Sequence, residues 1–265
     1  GFLFQGQVYF HQLARRGRPA LDRPAQPFII FTENHDQVAN SATGRRLHQL
    51  TSPGRARAMA GLLLLMPGTP MLFQGQEFNS SAPFYYFADH TGDLAKMVAS
   101  GRELFLDQFE NMAAPEMRGR LPAPDAVETF RACKLDWDET TRHASTVALY
   151  RDLLKMRRED EVLSGRTRTG IDGSVIGEEA FLLRLFGAHG DDRLLLVNFG
   201  RDLIRRSIPD PLVAPPARRR WKLHWSSEHP AYEGGGTAPV ERKDGWFLAG
   251  QSMVVLKASD EDPPQ

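Results

Sequence analysis

Apolar residues fall along the chain in short runs whose period changes part-way. Pro27-Phe28-Ile29-Ile30-Phe31 is apolar throughout, the pattern of a strand covered on both faces. It ends abruptly in Thr32-Glu33-Asn34-His35-Asp36. After a loop containing Gly44, residues 54–66 read as a helix. Ala56, Ala58, Met59, Ala60 and Leu62 to Leu65 are mostly strong helix formers, and Pro67-Gly68 stops them. A second apolar run, Pro70-Met71-Leu72-Phe73, ends at Gln74-Gly75-Gln76-Glu77. Strand, polar loop, helix, strand, polar loop predicts a βαβ unit and a parallel sheet.

Residues 1–26, broken by Gly6, Gly17, Pro19 and Pro24, read as irregular with at most one helical turn. Residues 113–142 are rich in Pro and charge and read as a long excursion. Residues 143–159 form an amphipathic helix, with Val147, Tyr150, Leu153, Leu154 and Arg157 at three- and four-residue spacing. From Gly165 the runs shorten: 180–186, 193–199, 205–208, 221–225, 245–248 and 252–257. Gly187, Gly190-Asp191-Asp192, Gly200 and Gly234-Gly235-Gly236 supply turns between them. This spacing predicts a small antiparallel β domain, expected to close its own core and to fold alone more readily than the first half. The tail from Ser259, acidic and Pro-rich, reads as disordered.

Composition narrows the function. The chain has 265 residues, 41% of them hydrophobic, enough for one large or two smaller cores. Lys plus Arg and Asp plus Glu each total 33, so the net charge is +0. That balance makes no electrostatic case for nucleic acid or an anionic membrane. Arg218-Arg219-Arg220 reads as a solvated loop. A single cysteine, Cys133, excludes an internal disulfide and fits a cytoplasmic protein. No apolar stretch approaches the roughly 20 residues of a membrane-spanning helix. Gly1-Phe2-Leu3-Phe4 is neither an initiator methionine nor a signal peptide, so the chain is expected to begin inside a longer protein.

The chemistry collects at the two strand ends, which face the same way in a parallel sheet. One presents Asn34, His35 and Asp36; the other presents Gln74, Gln76 and Glu77. Carboxylate, imidazole and amide groups together suit the hydroxyls of a sugar ring. The tripeptide alone fits a capped turn as well.

Longer stretches carry a resemblance. Phe31-Thr32-Glu33-Asn34-His35-Asp36-Gln37 is similar to a signature of the α-amylase clan at the close of its seventh barrel strand. Asn34 to Asn40, Gly68 to Phe78, Pro83 to His90, Leu194 to Gly200, Pro211 to Pro216, Trp221 and Trp225 to Glu228 resemble the malto-oligosyltrehalose trehalohydrolases in particular. The likeness runs from Pro27 to Lys257. Glu33 stands where that family would have Gln, Ala39 where Gly is usual, and Gln76 where Glu is common.

The resemblance implies a fold class of α/β plus all-β. Residues 1–160 would be the C-terminal portion of a catalytic (β/α)8 TIM barrel, and 161–265 a C-terminal antiparallel β-sandwich domain. The implied reaction is retaining hydrolysis of the α-1,4 bond joining trehalose to maltooligosyltrehalose, without metal or organic cofactor. Asp36 would stabilise the transition state. Asn34, His35, Gln37, Gln76, Glu77 and Tyr86 would bind substrate, with one or two of the aromatic residues 84–87 stacking on sugar. The clan's Asp nucleophile and Glu acid/base belong upstream of this strand, and residues 1–26 contain neither signature. The chain alone is therefore expected to be inactive. Two alternatives are a glycogen-branching enzyme of the same clan, against which Asn34 and Gln37 speak, and a non-catalytic glucan-binding or structural module.

Overall fold

The structure, a computed structural model, describes residues 5–9, 13–18, 23–41, 43–107 and 122–260. Gln5–Tyr9 (β1) and Ala14–Gly17 (β2) pair antiparallel, so part of the segment read as irregular is a hairpin. No apolar alternation marks it, because β2 is exposed along its whole length. The predicted parallel pair is present but short: Ile29–Ile30 (β3) lies beside Thr69–Pro70 (β4). Backbone bonds from Thr69 N to Phe28 O and from Met71 N to Ile30 O, both 2.8 Å, extend it at each end. Ile29 is 64% exposed, so within the described residues this strand is not covered on both faces.

Three helices separate the pair: His35–Ala39 (α1), Leu47–Leu50 (α2) and Pro53–Leu65 (α3). The Ser52 side chain caps α3 at its start and Pro53 occupies the first turn. Gly92–Leu106 (α4) follows, a helix the pattern did not reveal. The excursion contains Val127–Ala132 (α5) and Glu139–Arg142 (α6), with 108–121 outside the described residues. Ala144–Glu159 (α7) matches the predicted amphipathic helix and buries Leu149, Tyr150 and Leu153. Among the described residues no helix is long and apolar enough to cross a membrane.

The rest is antiparallel sheet. Arg168–Gly177 (β5), Ala180–Gly187 (β6), Arg193–Asn198 (β7), Ser252–Asp260 (β12) and Arg219–Ser226 (β9) lie side by side in that order. Glu241–Arg242 (β10), Gly245–Leu248 (β11) and Leu203–Arg205 (β8) form a second sheet, in the order β10-β11-β8. Two readings change here. Arg219 and Arg220 open β9 opposite Asp260 and Ser259, so the basic run is not simply a loop. Ser259 and Asp260 end β12, while 261–265 lie outside the described residues.

Strand β7 is buried on both faces, and alternation divides it. Leu194 and Leu196 join Leu182, Trp221, Val254 and Leu256 in a core shared with Leu248 of the small sheet. Leu195 and Val197 face the other way, with Leu185, Trp225, Met253 and Val255, against Leu64 and Leu65 of α3 and Leu153 of α7. The sequence leads one to expect a β half that closes its own core. It does so on one face of its main sheet, while the other face is closed by helices from the first half.

Candidate functional site

The polar strand end after β3 begins at Thr32 and turns directly into α1. Asn34 is its cap: Oδ1 accepts from Asp36 N at 2.8 Å, and Asn34 N donates to Gln37 Oε1 at 3.0 Å. This reciprocal pair satisfies backbone groups that a helix start leaves open. It also engages the side chains of Asn34 and Gln37 in fixing the turn. His35 and Asp36 are left projecting, with side chains 65% and 66% exposed and Nε2 3.4 Å from Oδ1.

The strand end after β4 is held from below. Gln76 is buried; its Oε1 accepts from Phe73 N at 3.1 Å and its Nε2 donates to Thr32 Oγ1 at 3.0 Å. One amide thus ties the two strand ends together. Gly75 makes the preceding turn at φ 80°, where a Cβ would lie 2.8 Å from both Leu135 Cδ2 and Ser80 Cβ, so only glycine fits. Glu77 is half-buried beside it.

Behind the turn lies Arg46, fully buried. Its Nε donates to Ala82 O at 2.7 Å, its Nη1 to Gln74 O at 2.6 Å, and its Cζ stands 5.1 Å from the Phe73 ring centre. Burial pulls the guanidinium pKa down, opposed by the charges of Glu33 and Glu77. Glu33, the extra carboxylate, does not point into solvent. It is buried and its Oε2 accepts from Leu47 N at 2.6 Å. Burial raises its pKa, against that hydrogen bond and the charge of Arg46. Glu33, His48, Gln76, Tyr150 and Tyr232 line a crevice of about 170 Å³ between α3 and α7. Burial, with help from Arg46 and His143, pushes the His48 pKa down to about 4.

The aromatic run divides. Phe84 packs edge-on against Phe73 with ring centres 5.1 Å apart, and Tyr85 Oη donates to Thr43 O at 3.1 Å. Tyr86 and Phe87 remain exposed. Arg102, from the unforeseen α4, lays its guanidinium 5.2 Å from the centre of the Tyr86 ring. No motif marks Arg102 or Arg46, so reading the sequence found neither. Among the described residues there is no group of three or more His, Cys, Asp or Glu that could hold a metal ion.

The family model described as "Domain of unknown function (DUF3459)" matches residues 168–255. A malto-oligosyltrehalose trehalohydrolase of Deinococcus radiodurans is 35% identical over 242 residues, which is 90% of this chain and 39% of that protein. The chain is a relative of the malto-oligosyltrehalose trehalohydrolases. Another of these trehalohydrolases, from Brevibacterium helvolum, is 38% identical over 65% of this chain and 30% of its own length. The chain thus spans about two fifths or less of the trehalohydrolases it matches. In structure, a Salmonella typhimurium protein described as a candidate alpha amylase superposes over 97% of this chain and 39% of its own. Its TM-score is 0.74 and its identity 26%. A Bacillus licheniformis trehalose-6-phosphate hydrolase covers 88% of this chain and 43% of its own, at TM-score 0.53 and 16% identity, and shares the fold alone.

Proposed function

We propose that this chain is the C-terminal part of an α-amylase-family glycoside hydrolase. It would release trehalose from maltooligosyltrehalose by cleaving the α-1,4 bond with retention. In this reading residues 1–160 complete a (β/α)8 barrel begun upstream, and 161–265 form the β-sandwich that follows it. The observation that carries the reading is the projecting Asp36 carboxylate, on a capped turn at the C-terminal end of a parallel strand, in a chain related to the trehalohydrolases over 90% of its length.

The chemistry assigns the roles. A retaining glycosidase needs a nucleophilic carboxylate and a protonated one about 5–5.5 Å apart. The proposal places both upstream, so the 265-residue chain alone is inactive. Asp36 is the third carboxylate. It accepts hydrogen bonds from the hydroxyls of the sugar under attack and opposes the positive charge growing on the ring, with His35 beside it. Glu77 and Tyr86 extend the binding surface. Asn34, Gln37 and Gln76 serve mainly by holding the two strand ends in place.

The test is the product of the full-length protein. Trehalose released from maltooligosyltrehalose supports the reading. New α-1,6 branch points in a glucan would instead make it a branching enzyme. Glucan binding without turnover, in a protein lacking both upstream carboxylates, would make it a binding module.

A further inference from the structure

A second feature lies near Asp36 and turns on Arg102, a residue that belongs to no motif. Arg102 bridges two parts of the molecule. Its Nη2 donates to Ala39 O at 2.8 Å, at the end of the helix that carries His35 and Asp36. Its guanidinium also stacks near the Tyr86 ring, at 5.2 Å, and the Phe105 ring, at 5.6 Å. Burial lowers the Arg102 pKa, while the nearby Tyr86 and Asp36 oppose that shift. Arg102 is thus close enough to feel the Asp36 charge. A cleft of about 140 Å³ opens alongside, walled by Ala39, Tyr86, Arg102, Glu103, Leu106 and Pro124. Pockets for drug-sized ligands run to roughly 300–1,000 Å³, so this cleft is too small for a chain and takes a single ring at most.

The walls match the two faces of a pyranose. A sugar ring has C–H faces that lie against aromatic and apolar carbon, here Tyr86, Leu106 and Pro124. Its edge carries hydroxyls, which need fixed donors and acceptors, here the Arg102 fork and the Glu103 carboxylate. We propose that the Tyr86–Arg102 cleft is a subsite for a single glucosyl unit, away from the scissile bond, and that Arg102 makes the enzyme's rate depend on substrate chain length. This rests on the glycosidase reading above and adds a subsite to it.

The experiment uses the full-length protein and a maltose-to-maltoheptaose series. Binding is measured first, by calorimetry, so that it does not depend on turnover. Arg102→Lys keeps a donor for Ala39 O but loses the planar fork, and Tyr86→Ala removes the stacking wall without touching α1. Both variants should weaken binding of the longer members about tenfold and leave the shortest member unchanged. On maltooligosyltrehalose, KM should rise by a similar factor for long chains, with kcat steady. Equal losses at every length, or none at any length, would overturn the subsite, and melting temperatures within a degree of wild type would rule out misfolding as the cause. Wild-type protein that binds the series with this length dependence yet releases no trehalose would remove the proposed reaction and keep the cleft. Trehalose release with no length dependence in either variant would do the reverse.

Discussion

Asp36 and Glu33 are three positions apart and stand in opposite surroundings, one projecting and one buried. On the proposed reading, the two carboxylates separate electrostatic catalysis from structural support. In the full-length protein, Asp36→Asn keeps the shape but removes the charge that the proposed mechanism sets against the transition state. Such contacts are commonly worth about 3–4 kcal/mol in the barrier, so kcat should drop roughly a hundredfold or more with a smaller change in KM. Glu33→Gln retains an oxygen to accept from Leu47 N and should leave kcat nearly unchanged, as steady-state kinetics of the two variants side by side would show. Full activity in Asp36→Asn, or the larger loss in Glu33→Gln, would put the chemistry on the wrong side chain. The sequence marks Asp36 and its neighbours well, because a polar cluster at the end of an apolar run stands out. It says little about which of those polar groups are free. That Asn34 and Gln37 close a capping pair, and that Gln76 is buried between two strand ends, depends on a turn whose geometry no spacing rule reveals.

Among the elements, α3 is legible from its run of helix formers, α7 from its apolar stripe and the central β strands from their short apolar runs, whereas α4 and β5 are not. β5 reads Arg-Thr-Gly-Ile-Asp-Gly-Ser-Val-Ile-Gly and has an exposed, Gly-broken face, yet it pairs along β6 as an edge strand. Pairing partners, not its own composition, hold it in place. α4 likewise buries only Ala95 and Leu106, so little of its length is fixed by a core that a pattern could mark. Propensity also misleads at Gly61 in the middle of α3. Alanine there should gain about 1 kcal/mol of helix propensity. Its Cβ would, however, lie 2.7 Å from Trp225 Cη2 and 3.0 Å from Met253 Sδ. Overpacking of a rigid ring costs about 1–3 kcal/mol, so Gly61→Ala should lower the denaturation midpoint. A raised midpoint would show that Trp225 can move.

Over the whole molecule, two buried clusters set the response to acid at different pH values. His48 has a folded pKa of about 4 against 6.5 in the unfolded chain, so the unfolded state takes up the proton first. Its contribution to stability is complete above pH 6.5 and is lost as the pH falls toward 4. The loss is at most roughly 3–4 kcal/mol, at about 1.4 kcal/mol per pKa unit. Asp160 joins α7 to the sheet: its Oδ2 accepts from Arg193 Nε at 2.8 Å and lies 3.2 Å from His224 Nε2. Burial alone would raise its pKa, but His224, the Leu163 amide and Arg193 together hold it well below the ordinary carboxylate range. Its share persists to lower pH and disappears only below about 4. A melting-temperature profile should therefore fall in two steps, and His48→Gln should remove the upper one. An unchanged upper step would assign it elsewhere.

Arg157, on α7, donates to the carbonyls of Leu64 and Met66 at 2.8 and 2.6 Å and to Gly68 O at 2.5 Å. It closes the open carbonyl end of α3 from a residue some ninety positions away. A helix end ordinarily frays by itself, exchanging its amide protons early. Here the last turn of α3 has no exit that does not also lift α7. The two helices should exchange deuterium as one unit, with the amides near Leu65 as slow as those around Leu153. In Arg157→Met the end of α3 should exchange early while Leu153 stays protected. Clocked this way, the seam between α3 and α7 is among the last places to let water in.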